Sequence, residues 1–243
     1  MSTPQNPLQK EKGDQKEKQL IKPSMKTQLV NMTFYMVYVL LLTTGTITFI
    51  EALSTTNPTV RHIMNLETCI SIVAGYFYSV FVEKVTKPAN GVVDYKEINV
   101  MRYNDWYITT PLMILVIMMS LSYNKGKHSV PIGLLVTAVV LNYGMLISGY
   151  LGEKGILSKG MGCFIGFLFF AGLFGLIYMN FVKGTGKMFN FILFGIYVFV
   201  WGLYGFVYLL DEEDKNIAYN VLDLTAKCFV GLGLWAYFTK VVV

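Results

Sequence analysis

The chain has 243 residues, of which 54% are apolar, 15% aromatic and only 14% charged, and its mean hydropathy is +0.50. A charged share so far below the usual one of about 25% excludes a disordered chain and an ordinary soluble domain. The net charge of +5 does not point to nucleic acid: six of the twenty basic residues lie in the first 27, no basic patch is interleaved with aromatics, and contact with a membrane surface is the better use of that charge.

Residues 1–27 are polar and Lys-rich, with Pro4, Pro7, Gly13 and Pro23. Such a tail cannot bury a core and is expected to be disordered or to lie on a lipid surface. No short apolar region ending in a small-residue cleavage site marks it as a signal peptide. Seven apolar segments follow, near 28–53, 60–85, 97–123, 129–151, 158–183, 187–210 and 214–242. Each exceeds the roughly 20 residues that cross a bilayer as a helix. The connections are short and carry chain breakers: Asn57-Pro58, residues 87–91 (KPANG), Lys125-Gly126-Lys127, residues 152–155 and residues 183–187. The connection over 86–96 is the longest and has room for a small hairpin. The expected fold is all-α: one seven-helix membrane domain over 28–243 behind an N-terminal tail. Cys69, Cys163 and Cys228 fall singly in apolar segments, which reads as small core residues and not as a disulfide framework or a metal site.

Loop charge suggests an orientation. The first, third and fifth connections and the C-terminal end carry Arg61, Lys125, Lys127, Lys183, Lys187 and Lys240 with no loop acid. The opposite side mixes Lys87, Lys96, Lys154, Lys159 and Lys215 with Asp94, Glu153 and an acidic run at 211–214. The positive-inside rule then leaves the N-terminus outside and the C-terminus cytoplasmic, although the Lys-rich tail argues the other way.

Two of the apolar segments carry an acid and a base on one helical face. Arg102, Asp105, Thr109 and Val116 recur at spacings of three, four and seven, one face of a helix. Asn216, Asn220, Asp223, Lys227 and Gly231 do the same on the seventh segment. A charged residue in hydrocarbon costs about 2.5–3.5 kcal/mol on insertion scales, so these stripes are expected to face each other inside a bundle, with two acids neutralising two bases. From spacing alone the set reads either as a structural ion-pair network or as a functional site.

The flanking residues favour the second reading. Arg102-Tyr-Asn-Asp105-Trp106 followed by Thr109-Thr110-Pro111-Leu112 resembles the third helix of microbial rhodopsins, and Asp223-xxx-Lys227 resembles the counterion and retinal-bearing lysine of their seventh helix. The resemblance covers about 28–242, and within the family it is strongest to rhodopsins encoded by large DNA viruses of algae and other protists. It implies all-trans retinal bound to Lys227 as a Schiff base, with Asp105 and Asp223 flanking the nitrogen and Arg102 nearer the outer mouth. It also implies retinal contacts from Trp106, Thr109, Thr110 and Met113, from Asn142, Met145, Ser148 and Gly149, from Trp201, Tyr204 and Tyr208, and from Ala226. Gly205 stands where pumps usually have proline and Tyr208 where many have tryptophan, which bears on helix kink and colour. Gly162-xxx-Gly166 in the fifth segment suggests close helix packing.

Eleven residues after Asp105, where proton pumps place a carboxylate, this chain has Val116, which cannot donate a proton. Glu67 in the second segment, taken with Asn216 and Asn220, instead suggests an ion path, since acidic linings favour cations. Channelrhodopsins also rely on a second-helix glutamate. The plainer reading is a protonated Glu67 hydrogen-bonded to a neighbouring helix. Glu51 reads as an interfacial acid or part of an inner gate. The leading expectation is therefore a light-gated cation channel, with an outward proton pump or a sensory photoreceptor as alternatives and no enzyme activity. The resemblance further implies a host plasma membrane, translocated cations or protons, and assembly as a homo-trimer or homo-pentamer. Purified with retinal, the protein is expected to be coloured and Lys227→Ala colourless, which an absorption spectrum checks.

Overall fold

Asn57 ends one apolar segment and begins the next: its Oδ1 accepts from Thr59 N at 3.0 Å and Val60 N at 3.3 Å, with Pro58 at the first helical position. Cap and proline together start a helix where the first N–H groups have no partner of their own. The same logic recurs at Asp94, which accepts from Glu97 N at 2.9 Å, and at Ser158, which accepts from Met161 N at 3.2 Å. In the computed structural model, which describes residues 25–88, 91–127 and 129–240, all seven expected segments are helical. They are α1 Met25–Ser54, α2 Pro58–Thr86, α3 Tyr95–Asn124, α4 Ile132–Glu153, α5 Lys159–Val182, α6 Met188–Val207 and α7 Glu212–Thr239, all long and apolar enough to cross a membrane.

The boundaries shift slightly from expectation. Most of the tail expected over 1–27 lies outside the described residues, and its last three residues form the first turn of α1. The small hairpin expected over 86–96 is not seen: the described residues there form bends and the start of α3, with a single turn closed by Gly91 N to Pro88 O at 3.1 Å. At the end of α3, Gly126 takes a left-handed φ of +71°, and Gly126 N bonds Tyr123 O while Lys127 N bonds Ser122 O. That pair of bonds closes the last turn and needs a residue without a Cβ penalty.

Three irregularities bear on the interior. Pro111 lies within α3 and has no N–H to give to Tyr107 O. The freed carbonyl accepts instead from Tyr143 Oη of α4 at 3.1 Å, so the break in α3 ties two helices together. In α5 and α7 the chain widens into π-helical turns, at Tyr178–Val182 and Leu224–Phe229. Such turns are uncommon and often mark functional sites, and the second one contains Lys227.

Successive helices pack as neighbours, and α7 closes the ring against α1, α3 and α6. The N-terminal ends of α1, α3, α5 and α7 share one face of the bundle, the N-face; their C-terminal ends share the other, the C-face. Large apolar side chains such as Phe49, Ile72, Phe164, Phe199 and Phe206 point outward, as a lipid-facing surface requires. The three cysteines are free but do not share one environment: Cys228 is buried, Cys163 half-buried and Cys69 exposed, so the core expectation fails for Cys69. The close packing expected at Gly162 is present. A Cβ there would sit 2.7 Å from Ser148 O of α4. Backbone cannot yield as a flexible side chain does, so Gly162→Ala is expected to force α4 and α5 apart at a cost of about 1–3 kcal/mol. Gly175→Ala on the same helix meets open space, and is expected to be neutral or stabilising by about 0.5–1 kcal/mol. Thermal melts of the two variants in detergent check this; equal midpoints would refute it.

Candidate functional site

The two charged stripes meet. Arg102 is 0% exposed, Asp105 and Asp223 1%, and Lys227 2%, all inside the ring. Lys227 Nζ donates to Asp105 Oδ2 at 2.5 Å and lies 3.4 Å from Asp223 Oδ1. Arg102 Nη1 reaches Asp223 Oδ2 at 3.3 Å. Two acids and two bases thus form one neutral chain, which is what allows four charges to stay in a dry interior.

Hydrogen bonds and rings hold each member. Tyr78 Oη donates to Asp223 Oδ2 and Tyr204 Oη to Asp223 Oδ1, both at 2.7 Å. Arg102 Nη2 donates to Asn216 Oδ1 at 3.0 Å and to Asn220 Oδ1 at 2.5 Å, and Asn220 Nδ2 donates to Thr33 Oγ1 of α1 at 2.9 Å. The guanidinium sits among the rings of Phe34, Tyr78, Phe81 and Tyr219, each 5.2–5.6 Å from its central carbon. Aromatic faces attract a desolvated cation. Among the described residues Asp105 Oδ1 is buried without a hydrogen-bond partner, so the carboxylate most intimate with Lys227 keeps an acceptor open.

A cavity of about 110 Å³ runs from Lys227 to the walls formed by α4 and α5. Ten residues expected to contact retinal line it: Trp106, Thr110, Met113, Met145, Gly149, Trp201, Tyr204, Tyr208, Ala226 and Lys227. Thr109, Asn142 and Ser148 do not. Thr109 Oγ1 donates to Asp105 O at 2.9 Å, Asn142 Nδ2 to Thr110 Oγ1 at 2.8 Å, and Ser148 Oγ to Met145 O at 2.8 Å, so each braces the wall from behind. The α5 wall, for which the sequence offers no assignment, comes from Gly162, Cys163, Gly166, Phe167 and Phe170. Among the described residues no His, Cys, Asp and Glu cluster fits a metal ion.

The expected ion path divides in two. Asn216 and Asn220 are spent on Arg102, on the N-face side of Lys227, and are not uncompensated polar lining. Glu67 stands on the other side: it is 2% exposed, and its Oε2 would meet a Cβ at Gly231 at 2.8 Å, one turn beyond Lys227 on α7. Among the described residues it makes neither a hydrogen bond nor an ion pair, so the bond to a neighbouring helix is not seen either. Val116 is buried in the apolar core, and Glu51 is half-buried near the C-face end of α1. The sequence does not single out Tyr78: it shares one face of α2 with Glu67 and Ser71, but a tyrosine in an apolar helix reads as core. Sequence position assigns the charges of Glu153 and Lys215 to the loop side, yet both residues are buried.

A family model described as bacteriorhodopsin-like protein matches residues 28–241. The chain belongs to the microbial rhodopsins. Its fold superposes on the viral rhodopsin OLPVRII with a TM-score of 0.83 at 45% identity, covering 88% of this chain and all of that one. Exiguobacterium sibiricum rhodopsin matches with a TM-score of 0.72 at 20% identity, over 91% of this chain and 100% of its own. The rhodopsin of Coccomyxa subellipsoidea, a light-driven proton pump, gives 0.66 at 20% identity over 88% and 97%; at such identities the likeness speaks for fold alone. No curated protein matches. This rhodopsin is an integral membrane protein of a family of ion transporters and photoreceptors, not enzymes. The family implies a retinal chromophore, and the residues present fit one: an aromatic-walled cavity is lined by a buried lysine that faces two carboxylates. With retinal loaded, Asp105→Asn is expected to shift the visible band to longer wavelength, because the positive nitrogen at Lys227 loses its nearer carboxylate. An unmoved absorption maximum would assign that role to Asp223 alone.

Proposed function

We propose that this rhodopsin is a light-driven proton transporter that moves protons from the C-face to the N-face. The observation that carries this reading is the placement of Glu67, a lone buried carboxyl one helical turn from Lys227 toward the C-face. The absence of an acid at Val116 argued against an inner proton relay, and a carboxyl supplied from α2 supplies the missing group. Retinal, bound at Lys227 as the all-trans isomer, supplies a light-driven change of shape and a positive nitrogen.

The chain's own residues supply the rest. Asp105 Oδ2, 2.5 Å from Lys227 Nζ, is placed to take a proton from that nitrogen. Asp223 is held by Tyr78, Tyr204 and Arg102 and stays charged, so the two acids have different tasks. Arg102, pinned by Asn216 and Asn220, keeps positive charge on the N-face side and favours an ionised acid beside it. Glu67 is placed to return a proton to Lys227 from the C-face. With the N-terminus outside, the net movement is outward. The cation channel suggested by the sequence needs Glu67, Asn216 and Asn220 to line one wet path, and their separation on either side of Lys227 favours the transporter.

Whole-cell recording under light separates the two. The transporter gives a stationary outward current at zero voltage in symmetric solutions, whereas a channel gives none there and reverses at a potential set by the ion gradients. Glu67→Gln is expected to cut that current at least about tenfold, as loss of a positioned proton donor costs roughly 10²–10⁴ in rate, and to leave the visible band in place. Parent-like current in Glu67→Gln would remove Glu67 from the path.

A further inference from the structure

A second group of charges lies at the N-face between α4, α5 and α7. Lys215 Nζ bonds Glu153 Oε1 at 2.8 Å and lies 3.5 Å from Glu212 Oε2; Lys159 Nζ bonds Glu212 Oε1 at 2.8 Å and lies 3.9 Å from Glu153 Oε2. Asn99 of α3 also donates to Glu212 Oε2. The two halves of this quartet differ in burial. The Glu212 and Lys159 side chains are about one-third exposed or more, whereas Lys215 is 0% and Glu153 1% exposed. Solvent screens the outer pair and not the inner one. Apolar packing stabilises at least as well as a buried ion pair, so stability alone is a weak account of Glu153 and Lys215.

Their position gives a better one. Lys215 Nζ lies 5.5 Å from the centre of the Tyr208 ring, and Tyr208 lines the cavity, with its Oη donating to Gly149 O at 3.0 Å. Gly149 of α4 and Gly162 of α5 belong to the wall opposite Lys227, and Tyr208 Oη would stand 3.2 Å from a Cβ at Gly162. One aromatic ring therefore separates a buried charge pair from the far end of the cavity. Adding a van der Waals contact of about 4 Å places the ammonium within roughly 10 Å of an occupant there.

We infer that the buried Glu153–Lys215 pair sets the absorption colour, by holding the potential at the far end of the retinal cavity near neutral. The inference rests on retinal spanning the cavity from Lys227. A polyene cation attached at Lys227 moves positive charge away from the nitrogen toward its far end when it absorbs light. An uncompensated positive charge at that end opposes the movement and raises the excitation energy. With Glu153 intact the quartet sums to zero; with Glu153 neutral, Lys215, Lys159 and Glu212 sum to +1.

The test is the absorption maximum of the retinal-loaded full chain. Glu153→Gln is expected to shift the band to shorter wavelength. The double variant Glu153→Gln with Lys215→Gln removes both inner charges and is expected to return the band to the parent position. A Glu153→Gln pigment with the parent band overturns the inference, as does a double variant shifted as far as the single one, which would mean altered packing and not charge. If Glu153→Gln forms no pigment, Glu153→Asp decides: its shorter carboxylate draws back from Lys215, so a smaller shift in the same direction supports the inference and an unmoved band overturns it. A coloured Lys227→Ala, by contrast, defeats the placement of retinal itself and not the tuning pair.

Discussion

The bundle is organised around a charge balance that hydrocarbon does not tolerate in any other form. Arg102, Asp105, Asp223 and Lys227 are buried together, and any one of them alone would be expelled or neutralised. Breaking a buried pair by removing one partner leaves an uncompensated charge and typically costs about 3–5 kcal/mol. The relative placement of α3 and α7 is therefore constrained by these four groups as well as by packing. The same balance suits the proposed chemistry, because a carboxylate nearby favours the charged form of a nitrogen at Lys227.

The surroundings convert a neutral set into an asymmetric one. Asp223 accepts from two tyrosines and lies against Arg102, while Asp105 keeps one oxygen free. Two chemically identical side chains thereby stand in different hydrogen-bond surroundings. Arg102 is itself fixed by two asparagines and four rings. The π-helical turn at Leu224–Phe229 contains Lys227 itself.

Polarity is also distributed unequally along the bundle. On the N-face side, hydrogen bonds run from Asp223 through Arg102 and Asn216 to the backbone of Glu212, where the Glu153 quartet begins. On the C-face side Glu67 packs against Gly231 without a hydrogen bond among the described residues, with Val116 buried in apolar core. The two sides of Lys227 thus differ in how far their polar groups are connected.

Much of this was legible in the chain itself. Seven apolar runs of sufficient length define the helices, and the three-and-four spacing of polar residues in α3 and α7 identifies their inward faces, because hydrocarbon penalises any other orientation. The flanking residues of Asp105 and Lys227 carry the family. What a one-dimensional pattern does not hold is contact between elements without such periodicity. Tyr78 reads as one more aromatic in an apolar helix, the α5 wall is apolar all round, and Lys215 and Glu153 sit 62 residues apart at helix ends where charge ordinarily means solvent. Asn216, Asn220 and Glu67 look alike in sequence as polar residues in apolar helices, and only their depth along the bundle separates those bound to Arg102 from the one left free. Periodicity says which way a side chain points; which partner it meets there depends on how the helices are offset and rotated, and that is settled by packing.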